Sequence, residues 1–247
     1  MIEVDKYAKL YGDTVAVREL SFTVQPGDVL GLVGPNGAGK TTTLRALAGI
    51  LQPTSGNIRI GSVDLSADPV AAKAQLAFIP DEPQLFDYLT VVEHLNFVAR
   101  LYGVPDAEPS IVALLDELEL SGKKESLPSE LSRGMKQKLA IACGLLHQPS
   151  ALLLDEPLTG LDPVGIRRMK ETITARARDG AAVILSSHLL HLVEELCTRI
   201  LVIRQGEMVA IGSIAEIVSS RPELAGKSLE EMFIALTGDG VTQPVAA

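Results

Sequence analysis

A lysine and a threonine close the run Gly34-Pro35-Asn36-Gly37-Ala38-Gly39-Lys40-Thr41, in which two glycines flank four residues and the second is followed by Lys-Thr. That spacing suits a loop wrapped around phosphate. Glycines let the backbone curl until successive N–H groups converge on an anion, and a helix starting behind the loop adds its positive N-terminal end. Lys40 then reaches the outer phosphate oxygens as a point charge. The Thr41 hydroxyl is placed to hold magnesium, a cation that takes oxygen ligands and keeps several waters. The plain alternative is a glycine turn that closes a strand and a helix.

A second set of chemical residues lies at Asp155-Glu156-Pro157, directly after the apolar run Ala151-Leu152-Leu153-Leu154. Two acids at the carboxyl end of a buried strand sit where ligands bind in open α/β sheets. Asp155 suits magnesium through water, and Glu156 suits a base for an attacking water. Alone, an acidic turn after a strand is unremarkable; beside a phosphate loop it reads as catalytic. His188 follows another apolar strand, Ala182 to Leu185, where a histidine is also common as a plain surface residue. His191, one helical turn on, lacks the further ligands a metal would need.

Three more positions have plain structural readings, and two of them a chemical one besides. Ser132, in Leu131-Ser132-Arg133-Gly134-Met135, is an N-cap whose hydroxyl and neighbouring free N–H groups also make an anion site. Asp162-Pro163 is a helix start, the aspartate as cap and the proline as first residue. Tyr11, in the turn Tyr11-Gly12-Asp13, either stacks on a base or covers a core edge.

The elements that position these residues follow from pattern. Val29 to Val33 is an apolar strand entering the loop, and Thr42 to Leu51 is a helix leaving it; strands are also expected at Ile2 to Tyr7, Leu20 to Val24, Asn57 to Ile60, Ala77 to Ile79, Ile200 to Ile203 and Met208 to Ile211. From Asp81 to about Leu131 strand patterns give way to helical ones, notably Val91 to Leu101 and Ser110 to Leu118, with Pro83, Pro105, Pro109 and Pro128 as breaks. Ser132 opens a helix with Met135, Leu139, Cys143 and Leu146 on one stripe, and another runs from Pro163 to Asp179. Short helices are expected at Ile214 to Ser219 and Ser228 to Leu236, then a frayed tail from Gly238.

Composition sets the outer bounds. A chain of 247 residues, 47% apolar with 4% aromatics and no Trp, suits an aliphatic core in one large domain or a core with an insert. Its longest apolar runs fall short of the roughly 20 residues a spanning helix needs. The start, Met1-Ile2-Glu3-Val4-Asp5-Lys6, is acidic where a secretory leader would be basic, so a cytoplasmic location is expected. Cys143 and Cys197 fall at apolar positions of helical patterns without metal-like spacing and read as two buried thiols. A net charge of −9 argues against nucleic acid as a partner.

Taken in order, these pieces resemble the ATP-binding-cassette ATPases, to about Leu236. Leu131-Ser132-Arg133-Gly134-Met135 is similar to the family's signature sequence, Leu152-Leu153-Leu154-Asp155-Glu156-Pro157 to its second Walker motif, Gly160-Leu161-Asp162 to its D-loop, and His188 to its switch histidine. The resemblance implies an α/β fold: a P-loop NTPase (RecA-like) core with a mixed, mainly parallel sheet, an antiparallel β edge and an inserted α-helical subdomain. It divides the chain into a core over 1–80 and 148–212, a helical subdomain over 81–147, and a C-terminal part over 213–247. It implies ATP held by Gly34 through Thr42, with Tyr11 against the adenine, and Mg2+ at Thr41, Asp155 and Asp81. Two copies would sandwich two ATP molecules, with Ser132 and Gly134 of one copy on the nucleotide of the other and Asp162 joining the sites. Glu156 would polarise the attacking water and His188 would bond the γ-phosphate.

Three positions depart from the family pattern. Asp81 stands where a glutamine is usual, an acceptor without an amide donor. Arg133 and Met135 stand where Gly and Gln are commoner, so their side chains inherit no role. A single cassette with these features resembles stand-alone bacterial subunits that drive a separate membrane permease, often an exporter, from the inner face of the membrane. Its permease would dock on the helical lobe near Asp81 to Tyr102. The alternatives are a soluble cassette ATPase and a regulatory one that signals by ATP occupancy. The first is expected to carry coiled coils or a second cassette, and neither pattern is present.

Overall fold

The computed structural model describes residues 1–238; the expected tail lies outside them apart from Gly238. Period-two alternation shapes the first two strands, β1 (Ile2–Tyr11) and β2 (Thr14–Val24), which pair antiparallel around Gly12-Asp13. Ile2, Val4, Tyr7, Leu20, Phe22 and Val24 face inward, while Asp5, Glu19 and Ser21 face solvent. Both strands run longer than their apolar clusters, because the hairpin continues into exposed residues such as Val15 and Leu10. Next come β3 (Val29–Val33), wholly buried, and α1 (Lys40–Leu47). Two elements that periodicity does not show follow β4 (Ser55–Ile60): the two-residue β5 (Val63–Asp64) and α2 (Pro69–Ala74). The only local mark of α2 is its cap, Asp68, which accepts the Ala71 N–H at 3.0 Å, with Pro69 as first residue.

After β6 (Leu76–Ile79) the chain leaves the sheet for α3 (Val91–Tyr102), α4 (Glu108–Glu117) and α5 (Arg133–Leu145). α3 starts on a reciprocal cap: the Glu93 carboxylate accepts the Thr90 N–H at 2.7 Å, while Thr90 Oγ1 accepts the Glu93 N–H at 3.3 Å. The Thr90 N–H and the Thr90 hydroxyl, both donating to the carboxylate, hold the Glu93 carboxyl below the usual range. The helix ends at Gly103, left-handed at φ 64°. The chain then returns to the sheet with β7 (Ala151–Asp155), α6 (Pro163–Arg178), β8 (Ala182–Ser186), α7 (Leu190–Leu196), β9 (Arg199–Arg204) and β10 (Glu207–Gly212), and closes with α8 (Ile214–Ser220) and α9 (Leu229–Thr237).

Two sheets result. The smaller is antiparallel, in the order β2-β1-β4-β5. The larger runs β10-β9-β3-β8-β7-β6 and is parallel except for the edge strand β10. Its central strands read as unbroken apolar runs because both faces are covered. Leu30 and Leu32 of β3, Leu153 of β7 and Ile184 of β8 join the core shared with the smaller sheet and α1. Val29 and Val33, Leu152 and Leu154, and Val183 and Leu185 join the opposite core with the helices. Val91 and Leu95 of α3, Ile111 and Leu115 of α4, and Leu139 of α5 belong to that second core, so the helical segment packs on the sheet rather than forming a core of its own. Glu117 reinforces the join, accepting from Arg176 Nη2 at 2.7 Å and Thr172 Oγ1 at 2.8 Å.

Cys143 and Cys197 are free and only half-buried, and Cys197 lies just past α7 rather than within it. Burial nevertheless pushes each thiol up to about 12.

Candidate active site

Strand order decides which loops meet. β3 lies between β9 and β8, and β8 borders β7, so the loops after β3, β7 and β8 emerge side by side at one edge of a parallel sheet. Register sharpens this: Ser186 stands opposite Leu32 on one side and Asp155 on the other.

The loop from Gly34 to Thr41 bends tightly against its surroundings. A Cβ on Gly34 would lie 2.3 Å from the Ile203 carbonyl oxygen, and Gly39, at φ 107°, leaves only 2.8 Å to the Ala16 carbonyl. Neither site admits a side chain, and Gly39 needs the left-handed region besides. Ala38 is buried, Asn36 and Gly37 are exposed, and Pro35 accepts the Ala38 N–H at 3.1 Å. Lys40 starts α1 and folds back, donating to Gly34 O at 2.7 Å and Pro35 O at 3.2 Å. Burial lowers its pKa, opposed by Glu156 and Asp155, whose charges reach it across the edge of the sheet. Thr41 is exposed and Thr42 half-buried.

Asp155 ends β7 at 5% exposure and accepts the Ser186 hydroxyl at 2.5 Å. The same oxygen, Ser186 Oγ, accepts the Glu156 N–H at 3.2 Å. Glu156 adopts φ 51°, a left-handed backbone that non-glycine residues visit mainly where surroundings impose it. Its Oε2 accepts from His188 Nδ1 at 2.8 Å and from the His188 N–H at 3.3 Å. The glutamate side chain is 16% exposed and the imidazole 61%. Ser186 therefore ties the two acids to the neighbouring strand. Sequence reading gave it no role; a hydroxyl at the end of an apolar strand was the only available mark.

Thr41, Asp81 and Asp155 line one open cavity of about 600 Å³, together with Arg45 and Phe78. Asp81 also accepts from Arg133 Nη2 at 3.1 Å. Other predicted site residues have local partners of their own. Tyr11, 47% exposed at the end of β1, carries Lys9 Nζ 5.0 Å over its ring. Ser132 caps α5, accepting the Met135 N–H at 3.3 Å, and Asp162 caps α6, accepting the Gly165 N–H at 2.7 Å. Gly134 abuts the loop after β7: its Cβ would lie 3.1 Å from the Gly160 carbonyl. Among the described residues no bond joins Ser132, Gly134 or Asp162 to the phosphate loop, and no cluster of three or more His, Cys, Asp or Glu, His191 included, is placed to hold a metal.

On the helical segment, Phe86, Phe97, Leu101, Tyr102 and Cys143 line an apolar groove of about 350 Å³. Buried His94 fixes its rim. Nε2 accepts the Phe86 N–H at 3.0 Å, so Nδ1 carries the proton and donates to Thr90 O at 2.7 Å. Tyr102 stacks on His147 with centroids 3.8 Å apart, and burial lowers the pKa of His147. No helix among the described residues is long and apolar enough to cross a membrane.

Comparison with known proteins agrees with this geometry. Residues 17–159 match the ABC transporter family. The ABC-type transporter ATP-binding protein EcsA of Bacillus subtilis is 33% identical over 231 residues, 92% of each chain. The Nod factor export ATP-binding protein I of Paraburkholderia xenovorans is 38% identical over 221 residues, 89% of this chain and 73% of that one. A solved ATP-binding subunit of an ABC transporter superposes with TM-score 0.91 at 34% identity, over 96% of this chain and 99% of that one. The likeness extends along nearly the whole chain, which belongs to the ABC transporter family as one of its ATP-binding subunits.

Proposed function

We propose that this chain hydrolyses ATP to drive a separate membrane-embedded permease, two copies closing around two ATP molecules. The observation that carries the reading is the meeting of three strand ends: Lys40 and Thr41 after β3, Asp155 and Glu156 after β7, and His188 after β8. Gly34 through Thr42 cradle the phosphates, and Tyr11 takes the adenine on its exposed ring. Glu156, held from one side by His188, orients and polarises the water that attacks the γ-phosphorus. With Nδ1 given to Glu156, His188 has Nε2 left for an incoming γ-phosphate. Ser132 and Gly134 of one copy meet the nucleotide held by the other, and Asp162 links the two sites across the dimer.

The donor set fits magnesium. Thr41, Asp81 and Asp155 offer a hydroxyl and two carboxylates around one cavity, the hard oxygen ligands this ion takes. Bound there, it neutralises charge on the phosphate oxygens.

The apolar groove between Phe86 and His147 is the docking place for the permease, which holds the chain at the inner face of the cell membrane. Two relatives bear names of export and resistance, the Nod factor export protein and the linearmycin resistance protein LnrL of Bacillus subtilis, and export is the direction proposed here.

Steady-state ATPase activity with magnesium, read beside size-exclusion chromatography with and without ATP, tests this. Glu156→Gln is expected to lose about 10²–10⁴-fold in turnover, the scale of a general base, and to accumulate an ATP-dependent dimer. Wild-type turnover in that variant overturns the assignment.

A further inference from the structure

Two of the positions that depart from the family pattern, Asp81 and Arg133, face each other. Arg133 Nη2 lies 3.1 Å from Asp81 Oδ1, which stands in the loop after β6, 52 positions earlier. Arg133 is the first residue of α5, directly after the cap Ser132, and no acidic residue shares that first turn. A cation at a helix N-terminus opposes the helix dipole, so α5 alone gains nothing from an arginine there. The compensating anion comes from Asp81, in the loop after β6. Local preference is overridden by a longer-range contact, a conflict that marks functional positions.

Arg133 touches a third segment as well. A Cβ on Gly160 would lie 3.2 Å from Arg133 Cδ and 3.3 Å from Nε, so the arginine stem crosses where Gly160 is bare. One side chain thereby spans the loop after β6, the loop after β7 and the first turn of α5. Asp81 meanwhile lines the cavity that holds Thr41 and Asp155. A carboxylate has two oxygens with several acceptor sites: Oδ1 serves Arg133, and Oδ2 remains for the cavity.

We propose that Arg133 is a positioning residue that links the nucleotide cavity to the first turn of α5 through Asp81. Occupancy of the cavity within one copy then orders the Ser132–Gly134 turn before a second copy meets it. This rests on the nucleotide reading above and adds to it a route inside a single chain. The pair is half-exposed, and exposed pairs shift an equilibrium by a factor of about two to five. That is enough to bias a turn and too little to hold the fold.

The test is backbone hydrogen exchange with Mg-ADP at concentrations where size-exclusion chromatography shows a monomer, which removes protection by a second copy. In wild type, nucleotide is expected to slow exchange both at Gly34 to Thr42 and at Ser132 to Lys136. In Arg133→Gln at saturating nucleotide, protection of the loop stays, while the added protection at Ser132 to Lys136 falls about two- to fivefold. Equal protection at Ser132 to Lys136 in wild type and Arg133→Gln overturns the link. So does a wild type protected at the loop alone. No protection at either place overturns the nucleotide reading and the link with it.

Discussion

Glu156 accepts two hydrogen bonds from one residue, the His188 main-chain N–H at 3.3 Å and its Nδ1–H at 2.8 Å. The first survives any substitution at position 188 except proline, and the second needs the imidazole. His188→Ala should therefore leave Glu156 near its place without the lateral restraint that aims it, and misalignment on that scale costs on the order of 10²-fold in turnover. Residues acting as a unit are non-additive, so the same change in a Glu156→Gln background should cost little more. Steady-state turnover of the two single variants and the double one decides; additive losses would show that the pair does not act together.

Ser186 has the next best-defined job. Its hydroxyl is wholly buried, donates to Asp155 and accepts from Glu156. Ser186→Ala removes a bond to a buried carboxylate and should cost about 1.5–3 kcal/mol in chemical denaturation, the range for hydrogen bonds to charged groups. Glu156 keeps a second partner, its N–H also reaching the Ser186 carbonyl at 3.2 Å, so the turn itself should persist. Because Mg-ATP is proposed to bring a new partner to Asp155, part of the loss should return when nucleotide is present. Unchanged stability in the variant would refute the role given to this hydroxyl.

Much of this was legible in the residues themselves, for a physical reason. The central strands are apolar on both faces and short, the loop glycines and lysine have fixed spacing, and the caps at Ser132 and Asp162 are local. What local pattern cannot carry is adjacency. Asp81 and Arg133 are 52 positions apart, and Glu156 and His188 32 apart; both contacts exist because of strand order and packing. α2 was missed because its six residues have no apolar stripe: Val70 is 79% exposed and only Ala72 is buried. The thiol environments were half right, since burial raises both pKa values although neither residue is fully covered.

Those thiols give a pH dependence whose sign is fixed. Cys143 and Cys197 ionise near 12 in the folded chain against an ordinary 9.0. Below 9 both folded and unfolded chains hold the protons, so the thiols contribute nothing. Between 9 and about 12 the unfolded chain releases them first and binds fewer protons, so stability falls as pH rises. Urea midpoints taken on either side of pH 9 should drop on the alkaline side, and replacing both cysteines with alanine should flatten that drop. The native thiols should also react slowly with iodoacetamide at pH 8 and rapidly once unfolded, since the thiolate is the nucleophile. Fast labelling of the native chain would contradict the raised values.

Along the groove, Leu101 is 67% exposed and Phe97 44%, apolar area that the isolated chain leaves in water. Phe97 meets Phe86 edge to face at 5.3 Å, and His94 pins Phe86 through its main chain, so the rim is built before any partner arrives. A preformed apolar slot with aromatic walls suits a short helix presented by a membrane protein. Leu101→Asp and Phe97→Asp place charge where such a helix would desolvate it. Each should weaken retention on vesicles containing the permease by about 5- to 30-fold, the size of one central contact in an interface. Circular dichroism and nucleotide binding check that each variant is folded. If folded variants remain on the vesicles as wild type does, the permease docks elsewhere, and the groove loses its assigned role.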